Sequence, residues 1–335
     1  MGAGTSLTIS RIPTFTLMKI YGKQTVTEPM AAMSRSGRYV HSYIITGAKG
    51  CGKKTAAAYI AQMLLCSDIH DGVPCGTCRE CRRIEAQTHP DVILVEKSKT
   101  SFSVSDMRHI VTDAYTSPND CDRKVYIAAD CDGWSDAAQA AMLKVTEDPP
   151  DPVYFIFTGA DLSVFLPTLI SRSMTIGITE DRDACVSFLR DRYPDKAEDE
   201  LLRAAEAFSG NIGRCTELLD GDEKLIDLVD RARRTASALA AHDEYTAAVM
   251  LAGIKDRGAF KELLGMLTAI VRDAAAGKTG SAPVSCDAKD ASKLSSLPYD
   301  RLMMIYDRLA HGMELCGTYC NLEALSAMLT GQIFG

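Results

Sequence analysis

The sequence predicts an α/β domain built on a parallel sheet, followed by a small helical unit and a larger helical domain. Three observations carry this. Short β-rich runs alternate with helix-patterned stretches up to residue 178, a glycine-rich loop joins the first run to a helix, and strand signals vanish beyond residue 180. A chain of 335 residues has room for two or three domains, each with its own core.

Composition narrows the function classes. The chain is 46% hydrophobic and 24% charged, with a net charge of −7, so bulk charge does not suit it to bind polyanions. No apolar run approaches the roughly 18 residues that a membrane span needs. The 12 cysteines are not spaced as a disulfide framework, and with no secretory signal a reducing cytoplasm is expected. Residues 1–20 read as a leader without fixed structure. Basic Arg11 and Lys19 give it a weak targeting character, but it has no apolar core, and Met18 or Met33 could equally begin the chain.

Strands are expected at 42–46, 92–96, 124–129, 153–158 and 174–178, and helices at 53–66, 103–115 and 135–147. These place a sheet domain over 21–179. Residues 180–221 form a helical unit broken at "SGNIG" (209–213), and residues 222–335 a helical domain interrupted by "AAAGKTGSAPVSC" (274–286). "LPYDRLMMIYDRLAHGMEL" (297–315) carries apolar residues at 302, 305, 309 and 313, a stripe that serves either the domain's own core or an intersubunit contact.

"GAKGCGKKT" (47–55) satisfies seven of the eight positions of G-x-x-x-x-G-K-[ST]. Gly47 and Gly52 let backbone N–H groups curl around phosphate oxygens, and Lys53 reaches the terminal phosphates. The eighth position should offer a hydroxyl to Mg²⁺, yet it is Lys54, whose ammonium repels a cation. Thr55 follows, but one helical residue is about 100° of rotation, so it faces elsewhere. The metal's second ligand is expected from an Asp at a strand end. There "KVYIAADCDGWS" has Ala128 and Ala129, and only then Asp130. Two losses fall on the same metal.

Cys66, Cys75, Cys78 and Cys81 form C-x8-C-x2-C-x2-C, a spacing that lets four thiolates converge on one tetrahedral Zn²⁺. Iron–sulfur ligation is the rival, but the bacterial C-x2-C-x2-C-x3-C-P run is not completed. Four protein ligands would close the site, making the zinc structural. The other eight cysteines are expected to be small buried residues, and His41 and His89 to serve only local hydrogen bonding or packing.

A phosphate loop followed by a four-cysteine insert resembles the AAA+ subunits of the bacterial DNA polymerase III clamp loader. "LKVTEDPP" (143–150) is similar to that family's L-K-x-x-E-[ED]-P-P run. "VYFIFTGADLSVFLPTLISRS" (153–173) is similar to the segment with a polar sensor, here Thr158, and an S-R-C motif, here Ser171, Arg172 and Ser173. "SGNIGRCTELL" matches the lid-helix start, where Gly213 stands in place of the motors' sensor arginine and Arg214 lies one residue on.

The resemblance implies an AAA+ domain, a helical lid and a collar that joins five subunits. In that family gamma/tau subunits hydrolyse ATP, whereas delta-prime has a degenerate site and offers its S-R-C arginine to a neighbour. Lys54, Ala129 and Gly213 fall on parts a motor needs, while Arg172 is the part a neighbour needs. The implied role is therefore of delta-prime type, with structural zinc and no ATP hydrolysis. Its partners would be gamma/tau and delta subunits, with sliding clamp and primer–template DNA reached through the complex. An active gamma/tau-type ATPase is the alternative. A stand-alone zinc-containing AAA+ protein acting on DNA is a third, which the acidic balance disfavours.

Overall fold

The computed structural model describes residues 20–95, 104–280, 288–316 and 321–335. Leader residues 1–19, Glu96, Cys286 and Cys320 lie outside them, as does part of the 274–286 interruption. The chain divides into two units, residues 1–179 and 180–335.

In the first unit, helix α1 (Gln24–Ser36) precedes β1 (Ser42–Thr46), and the glycine-rich loop leads into α2 (Lys53–Leu65). A two-stranded hairpin, β2 (Ile69–His70) and β3 (Val73–Pro74), and the short α3 (Arg79–Glu85) carry the cysteine cluster. Then follow β4 (Val92–Val95), α4 (Val104–Ala114), β5 (Lys124–Ala128), α5 (Asp136–Glu147), β6 (Val153–Gly159), α6 (Pro167–Ile170) and β7 (Met174–Gly177). The five main strands are parallel in the order β4-β5-β6-β1-β7. Each expected strand is present, with ends shifted by no more than one residue.

The sheet is buried on both faces, which explains its unbroken apolar runs rather than alternation. Tyr43, Ile45, Ile127 and Ile156 face α2, whereas Ile44, Tyr126, Phe155 and Phe157 face α4 and α5. Helix α2 is apolar nearly all round, with eleven residues buried from Lys53 to Leu65, as befits a helix enclosed within the unit. Helix α1 lacks a sequence signal because Pro29 and two threonines interrupt its pattern, yet Val26 and Met30 bury completely against the core.

The second unit contains only helices among its described residues. Helices α7 (Arg182–Arg192), α8 (Glu198–Ala207) and α9 (Ile212–Leu219) pack together. The break at "SGNIG" is a tight turn in which Gly210 has φ +82° and a Cβ would sit 2.7 Å from the Arg182 Cα. Then come α10 (Glu223–Ala241), α11 (Glu244–Leu251), α12 (Arg257–Lys278), α13 (Ala288–Leu294), α14 (Tyr299–Cys316) and α15 (Leu322–Phe334). The expected interruption begins later than its composition suggested: α12 runs on through Ala274 and Ala275, both buried. Of the α14 stripe, Leu302, Ile305 and Leu309 are buried within the unit, where α14 packs along α12, and Met313 is half-buried.

Candidate functional site

Parallel pairing brings the carboxyl ends of β1, β5 and β6 side by side, the edge at which open α/β sheets hold ligands. The loop after β1 is shaped by its glycines. A Cβ on Gly47 would lie 2.6 Å from the Ile178 carbonyl oxygen, and Gly52 holds φ +92° at the start of α2. The Gly47 N–H donates to the carbonyls of Gly159 and Ala160, fixing the loop to the end of β6. Lys53, almost fully buried, donates from Nζ to the carbonyls of Gly47 at 2.7 Å and Ala48 at 3.0 Å.

The eighth loop position does not present a metal ligand. Lys54 Nζ lies 3.3 Å from Asp130 Oδ2, so the ammonium neutralises the carboxylate nearest the loop. Thr55, the displaced hydroxyl, is half-buried one residue further along α2. Ala129 is buried just past β5, and Asp130 adopts a left-handed conformation at φ 54°. Its N–H donates to the Oγ1 of fully buried Thr158 at 2.9 Å. The donor set here does not fit Mg²⁺: one group is a cation and the other is already paired with it. Lys23, which the sequence did not single out, passes close by, with its Cε 3.2 Å from where a Gly52 Cβ would stand.

Arg172 occupies the opposite edge. It follows α6 and precedes β7, whose Met174 pairs with Tyr43 near the start of β1. Its Nη1 donates to the Thr168 carbonyl at 2.7 Å and to Ser171 Oγ at 3.3 Å, and its Nη2 lies 2.5 Å from Glu147 Oε1. Ser173, where the family carries cysteine, shares a 2.7 Å hydrogen bond with Ser42 Oγ. The buried Gln139 of α5 donates to the Val164 carbonyl and accepts from the Leu166 N–H, both at 2.8 Å, and so fastens the segment leading into α6. Gln139 was missed, although an amide inside the alanine-rich "DAAQAAML" is the visible signal.

Cys66, Cys75, Cys78 and Cys81 bring their Sγ atoms within 4.8 Å of one another. Cys66 Sγ lies 3.6 Å from that of Cys75 and 3.9 Å from that of Cys78. A zinc tetrahedron with Zn–S of about 2.3 Å has edges of about 3.8 Å, so the four sulfurs fit the ion. Backbone N–H groups of Asp68 and Cys75 donate to Cys66 Sγ, that of Cys78 to Cys75 Sγ, and that of Cys81 to Cys78 Sγ. Burial raises the Cys78 thiol, but the Cys81 and Ser67 donors outweigh it and bring it down to about 6. Cys81, fully buried, is pushed up by desolvation.

A second cluster beside it, Glu80, His89 and Cys121, has metal-like spacing but the wrong proton arrangement. The Asp91 N–H donates to His89 Nδ1 at 3.1 Å, so the ring proton sits on Nε2 and is given to Glu80 Oε2 at 2.7 Å. The nitrogen facing Cys121 thus has no lone pair for a metal. The cluster fastens α3 to His89 just before β4 and to Cys121 in the turn before β5, and Arg79 and Arg83 of α3 reach that same turn by pairing with Asp120. Of the other cysteines, Cys51, Cys131, Cys185, Cys215 and Cys316 are buried and Cys121 is half-buried.

In the second unit, Gly213 lies in the first turn of α9, and Arg214 is held by Glu217 and Glu262. Among the described residues, no helix is long and apolar enough to cross a membrane.

Comparison with known proteins accords with these features. The family described as "DNA polymerase III, delta subunit" matches residues 22–182, just under half of the chain. A DNA polymerase III subunit gamma/tau of Mycobacterium tuberculosis is 30% identical over 156 residues, 46% of this chain and 27% of that protein. The delta' subunits of Escherichia coli and Bacillus subtilis are each 27% identical, over 197 and 188 residues. These cover 58% and 56% of this chain, and 59% and 56% of the relatives. The chain thus spans between a quarter and three fifths of the length of these relatives. Residues 22–182 are thus similar to the family described as DNA polymerase III, delta subunit, and the same stretch resembles in sequence the gamma/tau and delta' subunits of DNA polymerase III.

Proposed function

We propose that this chain is the non-hydrolysing, delta-prime-type subunit of a bacterial DNA polymerase III clamp loader. In this reading it joins gamma/tau and delta subunits in a cytoplasmic hetero-pentamer that loads the sliding clamp onto primer–template DNA. Residues 180–221 act as lid and 222–335 as collar, and residues 1–20 are a leader. The chain supplies Arg172 to a neighbour's ATP rather than turning over its own.

The supporting observation is the Lys54–Asp130 pair, 3.3 Å apart at the loop where a motor would hold Mg²⁺. Gly47, Gly52, Lys53, Lys54, Thr55, Asp130 and Thr158 are then the remnant of a nucleotide site. Arg172 favours the same reading. It lies at the other end of a five-residue strand, roughly 16 Å long, and is out of reach of its own chain's loop. A guanidinium placed in trans stabilises charge on a transferring phosphoryl group, worth on the order of 10³–10⁵ in rate in GTPase systems. Cys66, Cys75, Cys78 and Cys81 would hold a structural zinc with no open position for substrate.

The test is ATP binding and hydrolysis by the purified chain, with and without Mg²⁺ and primed DNA. No turnover and no Mg²⁺-dependent binding are expected. Turnover above a contaminant control would favour the second reading, a gamma/tau-type ATPase, which the 30% identity to such a subunit keeps in play.

A further inference from the structure

We propose that Glu147 is the positioning residue of Arg172: its carboxylate holds the guanidinium in place and yields it to the phosphates of a neighbouring subunit's nucleotide. This rests on the reading of Arg172 as a finger and adds the group that sets how readily the finger is given up.

The contacts divide the guanidinium between two kinds of partner. Nη1 is anchored to its own segment through the Thr168 carbonyl and Ser171 Oγ, while Nη2 is held by a carboxylate from another element, the end of α5. The first anchor lets the arginine stay close to its segment, and the second neutralises its charge. A neutralised guanidinium attracts a phosphate less, so the nucleotide must displace Glu147 to engage Nη2.

The pair is built to be displaced. The Arg172 and Glu147 side chains are 35% and 50% exposed, and ion pairs of such exposure shift equilibria by about fivefold or less. Triphosphate oxygens offer more negative charge and the fork geometry that a guanidinium prefers. Glu147, at the last residue of its helix, can turn into solvent when the exchange occurs. The carboxylate therefore has two separable effects: its oxygen orients the arginine, and its charge competes with the incoming phosphates.

Two substitutions separate these effects. Glu147→Gln keeps an accepting oxygen and removes the charge; Glu147→Ala removes both. Each is assembled with gamma/tau and delta subunits, and DNA-stimulated ATPase is measured against ATP concentration. Zinc content and melting temperature should match those of the unaltered chain, since the pair is half-exposed. Glu147→Gln should lower the ATP concentration at half-maximal rate about two- to fivefold with the maximal rate unchanged. Glu147→Ala should lower the maximal rate, and neither change should register in an Arg172→Ala background. Arg172→Ala behaving as the unaltered chain would overturn the finger itself. Arg172→Ala depressing the rate while Glu147→Gln changes nothing, or acts equally without Arg172, would overturn the role of Glu147 alone.

Discussion

Lys54 and Asp130 meet at 3.3 Å across the mouth of the phosphate loop, one from the first turn of a helix and one from just beyond a strand. The two departures that the sequence shows at this loop thus satisfy each other. Their side chains are 34% and 57% exposed, so solvent screens the pair and its contribution to stability is small. Lys54→Thr should therefore change unfolding free energy by less than about 1 kcal/mol in a urea titration. It should also fail to create ATPase activity, because Ala129 still stands where a carboxylate would be needed. Measurable turnover by that single variant would show that the lysine alone disables the loop.

The cysteine module makes a sharper prediction. Native mass spectrometry should find one zinc per chain, and finding no metal would sink the assignment. Cys81 is fully buried under α2, where Gln62 donates to its carbonyl, so Cys81→Ser should be the most damaging of the four ligand changes. Loss of a structural metal belongs among the few single changes that cost more than about 4 kcal/mol. Chelation should likewise lower the melting temperature of the free chain.

Asp91 holds the turn before β5 together. Its carboxylate accepts from the N–H groups of Asn119, Asp120 and Cys121 and from Asn119 Nδ2. Burial alone would raise this carboxyl, but the four donors outweigh it and hold it below the usual carboxylate range. A depressed folded pKa means that its stabilisation is complete above the ordinary aspartate value of about 3.9. That stabilisation is lost as pH falls through the folded value. Asp91→Asn turns an amide toward backbone donors and should cost about 2 kcal/mol at pH 7. The gap from the unaltered chain should shrink in acid below about pH 4; a gap constant with pH would contradict the charge-based account.

Gln139 gives a prediction about the arginine's support. Replacing it with leucine keeps the volume but strands the Val164 carbonyl and the Leu166 N–H. Both groups are half-buried, so each costs about 1 kcal/mol, the low end for a stranded group, and destabilisation of about 1–2 kcal/mol is expected in chemical denaturation. Zinc content should be unaffected, because the cysteine module lies on another face of the sheet's connections. If Gln139→Leu proves as stable as the parent, the amide is not the fastening that its geometry describes.

Strand positions were legible because a sheet buried on both faces writes itself as unbroken apolar runs, such as "VYFIFT" (153–158) in β6. The loop glycines and the four cysteines were legible because their spacing is local. What was hidden depends on pairing across the chain. Lys54 could be read as a cation at the wrong place, but not as the partner of a residue 76 positions away. Ser173 could be read as a departure, but not as the partner of Ser42. Helix α1 was hidden by Pro29, whose local penalty is overridden by the burial of Val26 and Met30.

Helix α5 grips one stretch of chain twice, through Gln139 near its start and Glu147 at its end. The two grips are eight residues apart, about 12 Å along a rigid rod. The guanidinium is therefore held from two sides, by its own segment through Thr168 and Ser171 and by the rod through Glu147. The Gln139 grip is the lasting one, while the Glu147 grip is half-exposed and can be let go. One end of the rod thus keeps the segment in register while the other end can release the arginine.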